Sequence, residues 1–332
     1  MRPPPVASPH GISPPEALSQ FLRRVWQEQA EAHDELSTDT VHDLRVALRR
    51  CRSLAEGFSE LDDDRDWRQF RKAARRIQRG LAELRDAQVM AGWVRRLGLT
   101  GGTAGAAVAA SLRRDERAAR RAARSALADF PRKRWKRWRR RLPQRAELLA
   151  ASPASFADLA SQRAGEAGAC ERSWRRSGSR IAAHRLRIAV KRFRYIVESF
   201  LPEQYAAWGQ KLKRMQDFLG EIHDLDVLRG RILQLGKDKS ISENTLHTWL
   251  RRIERGRMQR VERYRKAVSP KARTVKRGKP APSLWDRWRH ELYVMGWINL
   301  PKSAAASGSK ASAVGLPAEI TSAPRDRRPR LS

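Results

Sequence analysis

The chain has 332 residues, 70 Lys and Arg against 36 Asp and Glu, a formal net charge of +34 and a hydrophobic fraction of 40%. That fraction is sufficient for a core and excludes wholesale disorder, while having only two cysteines, Cys51 and Cys170, excludes a disulfide scaffold or a multi-cysteine metal site. No stretch approaches the roughly 18 apolar residues of a membrane span, and the Pro-rich start lacks an apolar secretory segment, so a soluble, reducing, cytoplasmic setting is expected.

Residues 1–13 read as a disordered Pro-rich arm, and Ser13-Pro14-Pro15-Glu16 predicts a helix start. Alternating β-branched runs do not occur. Ala, Leu, Arg and Glu fill long stretches at a 3.6-residue period, so the chain is predicted to be all-α. Helices are expected at 15–35, 40–58, 64–82, 84–97, 104–128 and 132–149. A second set follows at 154–175, 179–200, 203–219, 221–235 and 242–267. Residues 268–283 read as a basic loop, 284–297 as a last helix and 299–332 as a disordered basic tail.

The charge is spread along the whole chain. Of the basic residues 56 are Arg and 14 Lys, and residues 1–150 net +13 against +21 for 151–332. Self-repulsion on this scale calls for a polyanionic partner, and the Arg fork fits phosphate oxygens bidentately.

The chain also repeats itself. HDLRVALRRCRSLAEGF at 42–58 aligns without gaps to HRLRIAVKRFRYIVESF at 184–200, with eight identities in seventeen positions. LAELRDAQVMAGWV at 81–94 aligns to LGEIHDLDVLRGRI at 219–232, with five identities in fourteen. The order is kept, which points to a duplicated helical unit and two bundles related by a pseudo-twofold axis.

On a helical wheel Leu44, Ala47, Leu48, Cys51, Leu54, Ala55 and Phe58 form one apolar face. His42, Arg45, Arg49 and Arg52 form a separate stripe at i, i+3, i+7, i+10; the second copy gives His184, Arg187, Lys191 and Arg194. Like charges at these spacings repel. A single such stripe reads as a solvated face; the same register occurring twice points to a ligand. Arg50 and Arg192 point away from the stripes and read as ordinary surface. A second pair of ladders has the same spacing: Arg75, Gln78, Ala82, Arg85, and Lys213, Gln216, Gly220, His223. The small residue in each leaves room for an extended ligand.

The segments VHDLRVALRRCRSLAEGF, AHRLRIAVKRFRYIVESF and FLGEIHDLDVL resemble the CHAD family, the conserved histidine α-helical domain, over about residues 15–298. The resemblance implies two four-helix bundles with internal twofold pseudo-symmetry, one repeat at about 14–150 and the other at about 153–298. It also implies a basic groove that binds inorganic polyphosphate, and association with polyphosphate granules. The family's groove positions fall on His42, Arg45, Arg49, Arg52, His184, Arg187, Lys191 and Arg194, with Lys213 and His223 from the second ladder. The first half departs from the pattern, with Arg85 where the second has His223. The Glu-x-Glu-x-Lys strand of the triphosphate-tunnel enzymes that often accompany the family is missing, so a stand-alone binder without cofactor is expected.

Enzyme readings find less support. His42-Asp43 and His223-Asp224 evoke metal phosphohydrolases, but Asp43 aligns with Arg185 and His223 with Arg85, and neighbouring Arg would repel a divalent cation. Asp86 and Asp224, kept in both halves, read as partners of basic groove residues. The Gly-rich 98–110 segment lacks the Gly-Lys-Ser/Thr of a phosphate loop and follows a helix. The main rival is nucleic-acid binding. Residues 113–145 carry 15 basic and three acidic residues, and Trp135 and Trp138 would either anchor the core or stack bases. A membrane-surface helix is a weaker third reading.

Overall fold

The computed structural model describes residues 12–149, 153–269 and 282–298. The tails and basic loop expected at 1–13, 299–332 and 268–283 fall almost wholly outside these residues. Among the described residues the secondary structure is entirely helical. The first half contributes α1 (Pro14–Asp34), α2 (Thr38–Leu61), α3 (Arg65–Gly80), α4 (Ala82–Arg96), α5 (Gly102–Ala128) and α6 (Arg132–Leu149). The second contributes α7 (Pro153–Ser177), α8 (Arg180–Phe200), α9 (Pro202–Lys237), α10 (Glu243–Val268) and α11 (Leu284–Ile298). Side-chain caps set several starts. Ser37 and Thr40 form a reciprocal capping box for α2, and Ser179 accepts from the Ala182 N–H at 3.1 Å to open α8.

The expected helices at 203–219 and 221–235 are one, α9. The helix runs through Gly220: one interior glycine costs a helix only about 1 kcal/mol, and nothing lies within 4 Å of where its Cβ would be. In the first half the break expected at residue 83 falls instead at Leu81, between α3 and α4, with the Leu81 N–H still reaching Ile77 O at 3.2 Å. It follows Gly80, whose missing Cβ would come within 2.2 Å of Ala126 Cβ on α5.

The apolar face read from α2 is buried throughout, as is its α8 equivalent Leu186, Ala189, Val190, Phe193, Ile196, Val197 and Phe200. The largest hydrophobic cluster draws on helices from both halves. A smaller one joins α4 and the start of α5 to the C-terminal part of α9 and the start of α10. The halves are locked where α2, α7 and α8 meet: Phe156 stacks on Phe200 with centroids 4.1 Å apart, and Phe58 meets Phe200 edge-on at 5.2 Å. Beside this seam Glu198, buried on α8, pairs with Arg50 of α2 at 2.8 Å and with Arg194 at 3.5 Å. Breaking such a buried pair by removing one partner is costly.

Trp135 and Trp138 on α6 are fully buried, packed on Phe70 with centroids 5.2 and 5.5 Å away. They anchor the core and offer no platform for bases. On one flank of α6, Arg137 reaches Asp66 at 2.6 Å, Arg141 reaches Asp66 and Asp64 at 3.1 and 3.2 Å, and Arg145 binds Asp62. The Arg145 hydrogen bond, with help from the Trp67 indole, holds the Asp62 carboxyl down at about 2.

Gly57 lies in the seam, and an added Cβ would sit 2.3 Å from Phe200 Cε2. That ring is fixed between Phe58 and Phe156. Alanine in a helix interior gains about 1 kcal/mol over glycine, but overpacking costs about 1–3 kcal/mol. Gly57→Ala is therefore expected to lower the thermal midpoint; a midpoint above wild type would refute a rigid seam.

Candidate functional site

Helices α2 and α8 touch through their seam and diverge around a cavity of about 1040 Å³ that α3, α4, α7 and α9 help to close. Eleven Arg and Lys side chains line it against six carboxylates. Of the twelve residues singled out in the sequence, eight line it: His42, Arg45, Arg49, Arg52, Arg75, Arg85, Arg187 and Lys191. The small residues of the second ladders, Ala82 and Gly220, line it too, as do Gln78 and Gln216.

Four expected residues are not among the lining groups. Arg194 is drawn to the buried Glu198 and also to Tyr205. Lys213 is exposed and paired with Asp217 at 2.8 Å. His184 and His223 face each other with ring centroids 4.9 Å apart, and both feel the charges of Arg187 and Lys191. Conversely Arg192, read as ordinary surface, lines the cavity. The reason is rotation: α8 lines the cavity with Arg187, Ile188, Lys191, Arg192, Tyr195 and Ile196, a face turned by roughly 50° from the α2 face at 100° per residue. Arg71, Arg79 and Arg163 also line the cavity and belong to no repeated ladder, so no periodic signal marks them. Tyr195 was likewise unmarked; Arg49 Cζ lies 5.7 Å from its ring centroid.

Local contacts position the first-half cations. Arg45 donates to Gln78 O at 3.0 Å, Gln78 Nε2 returns a bond to Arg45 O at 3.4 Å, and Arg52 donates to Gln78 Oε1. One glutamine thus ties α3 to two rungs of the α2 ladder. Other donors stay unmet: Arg49 Nε and Arg187 Nε are buried without a hydrogen-bond partner among the described residues.

Burial and mutual repulsion set the protonation states. Lys191 is pushed down to about 7 by burial first and then by Arg187 and Arg49, against the opposing pull of Asp224; Arg45 adds to the depression. His223 falls to about 4, from burial and then Arg187, His184 and Lys191. His42 is lowered by burial and then Arg85, with Asp43 opposing; His184 by burial and then Arg187 and Lys191. Two carboxylates move the other way. Burial raises Asp86 against the pull of Arg45 and Arg187, and raises Asp224 against its bond from the Trp93 indole at 3.5 Å and the pull of Arg187. Desolvation thus outweighs pairing on both sides of the cavity. Chemically this is a cation-rich enclosure with spare donors and protonatable amines, suited to a multivalent anion.

A family model described as "CHAD domain" matches residues 16–233. Among solved structures, the chain is similar to the crystal structure of the CHAD domain from the plant Ricinus communis: 22% identity and a TM-score of 0.56, covering 80% of this chain and 95% of that one. It is also similar to PptA from Streptomyces chartreusis, with 16% identity and a TM-score of 0.56 over 76% of this chain and 95% of that one. At such identities the likeness is one of fold. No curated protein matches the chain.

The Lys191 amine should titrate near 7 in a lysine-resolved NMR experiment, far below the ordinary value of about 10.4. Asp224→Asn removes a carboxylate that favours the ammonium, so the midpoint should fall further. A midpoint near 10, or one that rises in Asp224→Asn, would refute this electrostatic picture.

Proposed function

The chain belongs to the CHAD family, and from that premise we propose that its cationic cavity binds inorganic polyphosphate without catalysing a reaction. The observation that carries this reading is the pair of facing ladders: Arg45 and Arg49 on α2, and Arg187 and Lys191 on α8, line one enclosure. Polyphosphate has no bases or sugars to read. A binder of it needs closely spaced, multidirectional donors, which a two-walled Arg/Lys/His enclosure supplies. Asp86 and Asp224 serve as partners that limit the repulsion among these cations. Within the described residues no helix is long and apolar enough to cross a membrane. Residence at polyphosphate granules follows if the ligand assignment holds. The likeness of the 42–58 and 184–200 segments, with Arg45 and Arg49 of one and the aligned Arg187 and Lys191 of the other lining the same cavity, supports an ancestral duplication.

Bound phosphate favours every protonated amine and imidazole of the site, so binding takes up protons. Lys191 titrates near 7 in the free protein, and its bound value must lie higher. Below about pH 7 the lysine is already charged and contributes no pH dependence. Above it, affinity should fall by up to about tenfold per pH unit until the bound value is reached. His42 and His184, lowered below 6.5 in the free protein, add a second uptake on the acid side.

Three outcomes are expected from titrations with a defined-length polyphosphate. Affinity falls steeply with salt, with a log–log slope of about −4 if six phosphates are neutralised at about 0.7 each. Arg45→Gln with Arg49→Gln weakens binding about as much as Arg187→Gln with Lys191→Gln; one silent pair would mean that the ladders do not share a ligand. Lys191→Arg keeps its charge at every pH, so it binds more tightly than wild type at pH 8.5 and flattens the profile there. A wild-type profile flat from pH 7 to 8.5 would sink the proton-uptake account. Non-catalytic binding requires that incubation with polyphosphate, with or without magnesium, release no phosphate; release abolished by Asp224→Asn would refute it.

A further inference from the structure

Helix α6 carries nine basic residues and one acidic residue, and the fold divides them sharply. Arg137, Arg141 and Arg145 are consumed by Asp62, Asp64 and Asp66 on one flank. On the other flank Arg132, Lys136 and Arg139 crowd a single indole, Trp26 of α1, with their charged groups 5.9, 5.8 and 5.7 Å from its ring centroid. Lys133 and Arg140 are exposed. At 100° per residue they lie within about 20° of each other and directly opposite the buried Trp135–Trp138 face. Among the described residues none of these five cations has an ion-pair partner. Among the described residues Asp129, their acidic sequence neighbour, forms no ion pair either.

We propose that this face is a second polyanion surface, separate from the cavity, that grips the backbone of a nucleic-acid duplex without reading its sequence. Three observations favour this occupant. First, the face is exposed, with Arg132, Lys133, Lys136 and Arg140 open to solvent along one helix. A flexible phosphate chain laid on it would lose its freedom for contacts on one side only, whereas a duplex brings its phosphates already ordered. Second, the cations from Arg132 to Arg140 span about 12 Å at 1.5 Å per residue, a length of duplex that carries about seven phosphate charges at one per 1.7 Å. Third, the aromatic groups that would read or stack bases are withheld: Trp135 and Trp138 are in the core, and Trp26 is covered by its three cations. The same arrangement disfavours a bilayer. A helix lying in a membrane surface needs exposed apolar side chains opposite its charges, and here that face is buried.

The test uses the full chain and a mixed-sequence DNA duplex of about three helical turns. The charge reversal Lys133→Glu, Lys136→Glu, Arg140→Glu should weaken duplex binding at least tenfold. It should also make the log–log salt slope shallower by about 2.7, from three lost phosphate contacts at about 0.9 each. Polyphosphate affinity should stay within twofold of wild type. The cavity variant Arg187→Gln with Lys191→Gln should keep its duplex affinity within twofold. Neutral replacements, Lys133→Gln, Lys136→Gln and Arg140→Gln, give the same ordering with smaller changes should the reversal disturb folding. Duplex binding that survives the α6 changes, or that vanishes with the cavity variant, overturns the proposal. So does an α6 variant that loses polyphosphate and duplex in equal proportion. A protein that failed to bind polyphosphate at all would refute the cavity reading and leave the duplex comparison intact.

Discussion

The structure is organised around a repulsion. Arg45, Arg49, Arg187 and Lys191 stand among eleven Arg and Lys side chains around one enclosure, against six carboxylates, too few to neutralise them all. Burial, and after it the like charges of Arg187 and Arg49, drive Lys191 to surrender its proton near neutrality. A small all-helical chain does not hold such a cluster together by default. Something must force α2 and α8 into proximity against the field, and the remaining contacts can be understood as that restraint.

The restraint is mostly apolar and sits away from the charges. The Phe58–Phe156–Phe200 seam and the buried faces of α2 and α8 remove large side chains from water, at about 25 cal/mol for each Å² of apolar surface buried. Next to the seam, Glu198 is shared between Arg50 and Arg194. It holds Arg50 across the helix pair and Arg194 within α8 itself, so that two further cations attract where they would otherwise repel. At the other end of the cavity the smaller cluster clamps α4 against α9 and α10, and the Trp93 indole reaches from it to Asp224. The cavity is thus bracketed by two hydrophobic joints. The two acidic side chains that face Arg45 and Arg187 are held by the elements that form the second joint.

Much of this was legible from period alone. The seven-residue apolar face of α2 is buried as the wheel places it, and the α2 ladder, on a separate face of the same amphipathic helix, lines the cavity in full. The second ladder was only half legible. Sequence alignment transfers the register of α2 to α8 but not its rotation about the helix axis, which tertiary packing decides. Glu198 captures Arg194, while its aligned partner Glu56 lines the cavity near the α2 cations. Arg192 is exposed to the cavity by the same rotation. Arg71 and Arg163 were invisible because they enter from α3 and α7, outside the repeated stripes; nothing in their own segments distinguishes them from other exposed arginines.

The excess of basic residues, seen in the sequence as one number, separates in three dimensions into populations with different physics. Some arginines, such as Arg137, Arg141, Arg145 and Arg50, have acidic partners and stabilise helix packing. Others, such as Arg49 and Arg187, are half-buried with unmet donors; after burial itself, Arg187 depresses Lys191 and His223, and Arg49 depresses Lys191. A third group, around Trp26, is solvated and open. Only the second group loses free energy by standing empty, because desolvation has already removed the water that would otherwise screen it. An anion entering there therefore relieves repulsion, charges Lys191 and satisfies donors in a single event. On the open α6 face an anion gains chiefly from counterion release. The two surfaces should accordingly differ in kind: proton-coupled at the cavity, and governed by salt alone at α6.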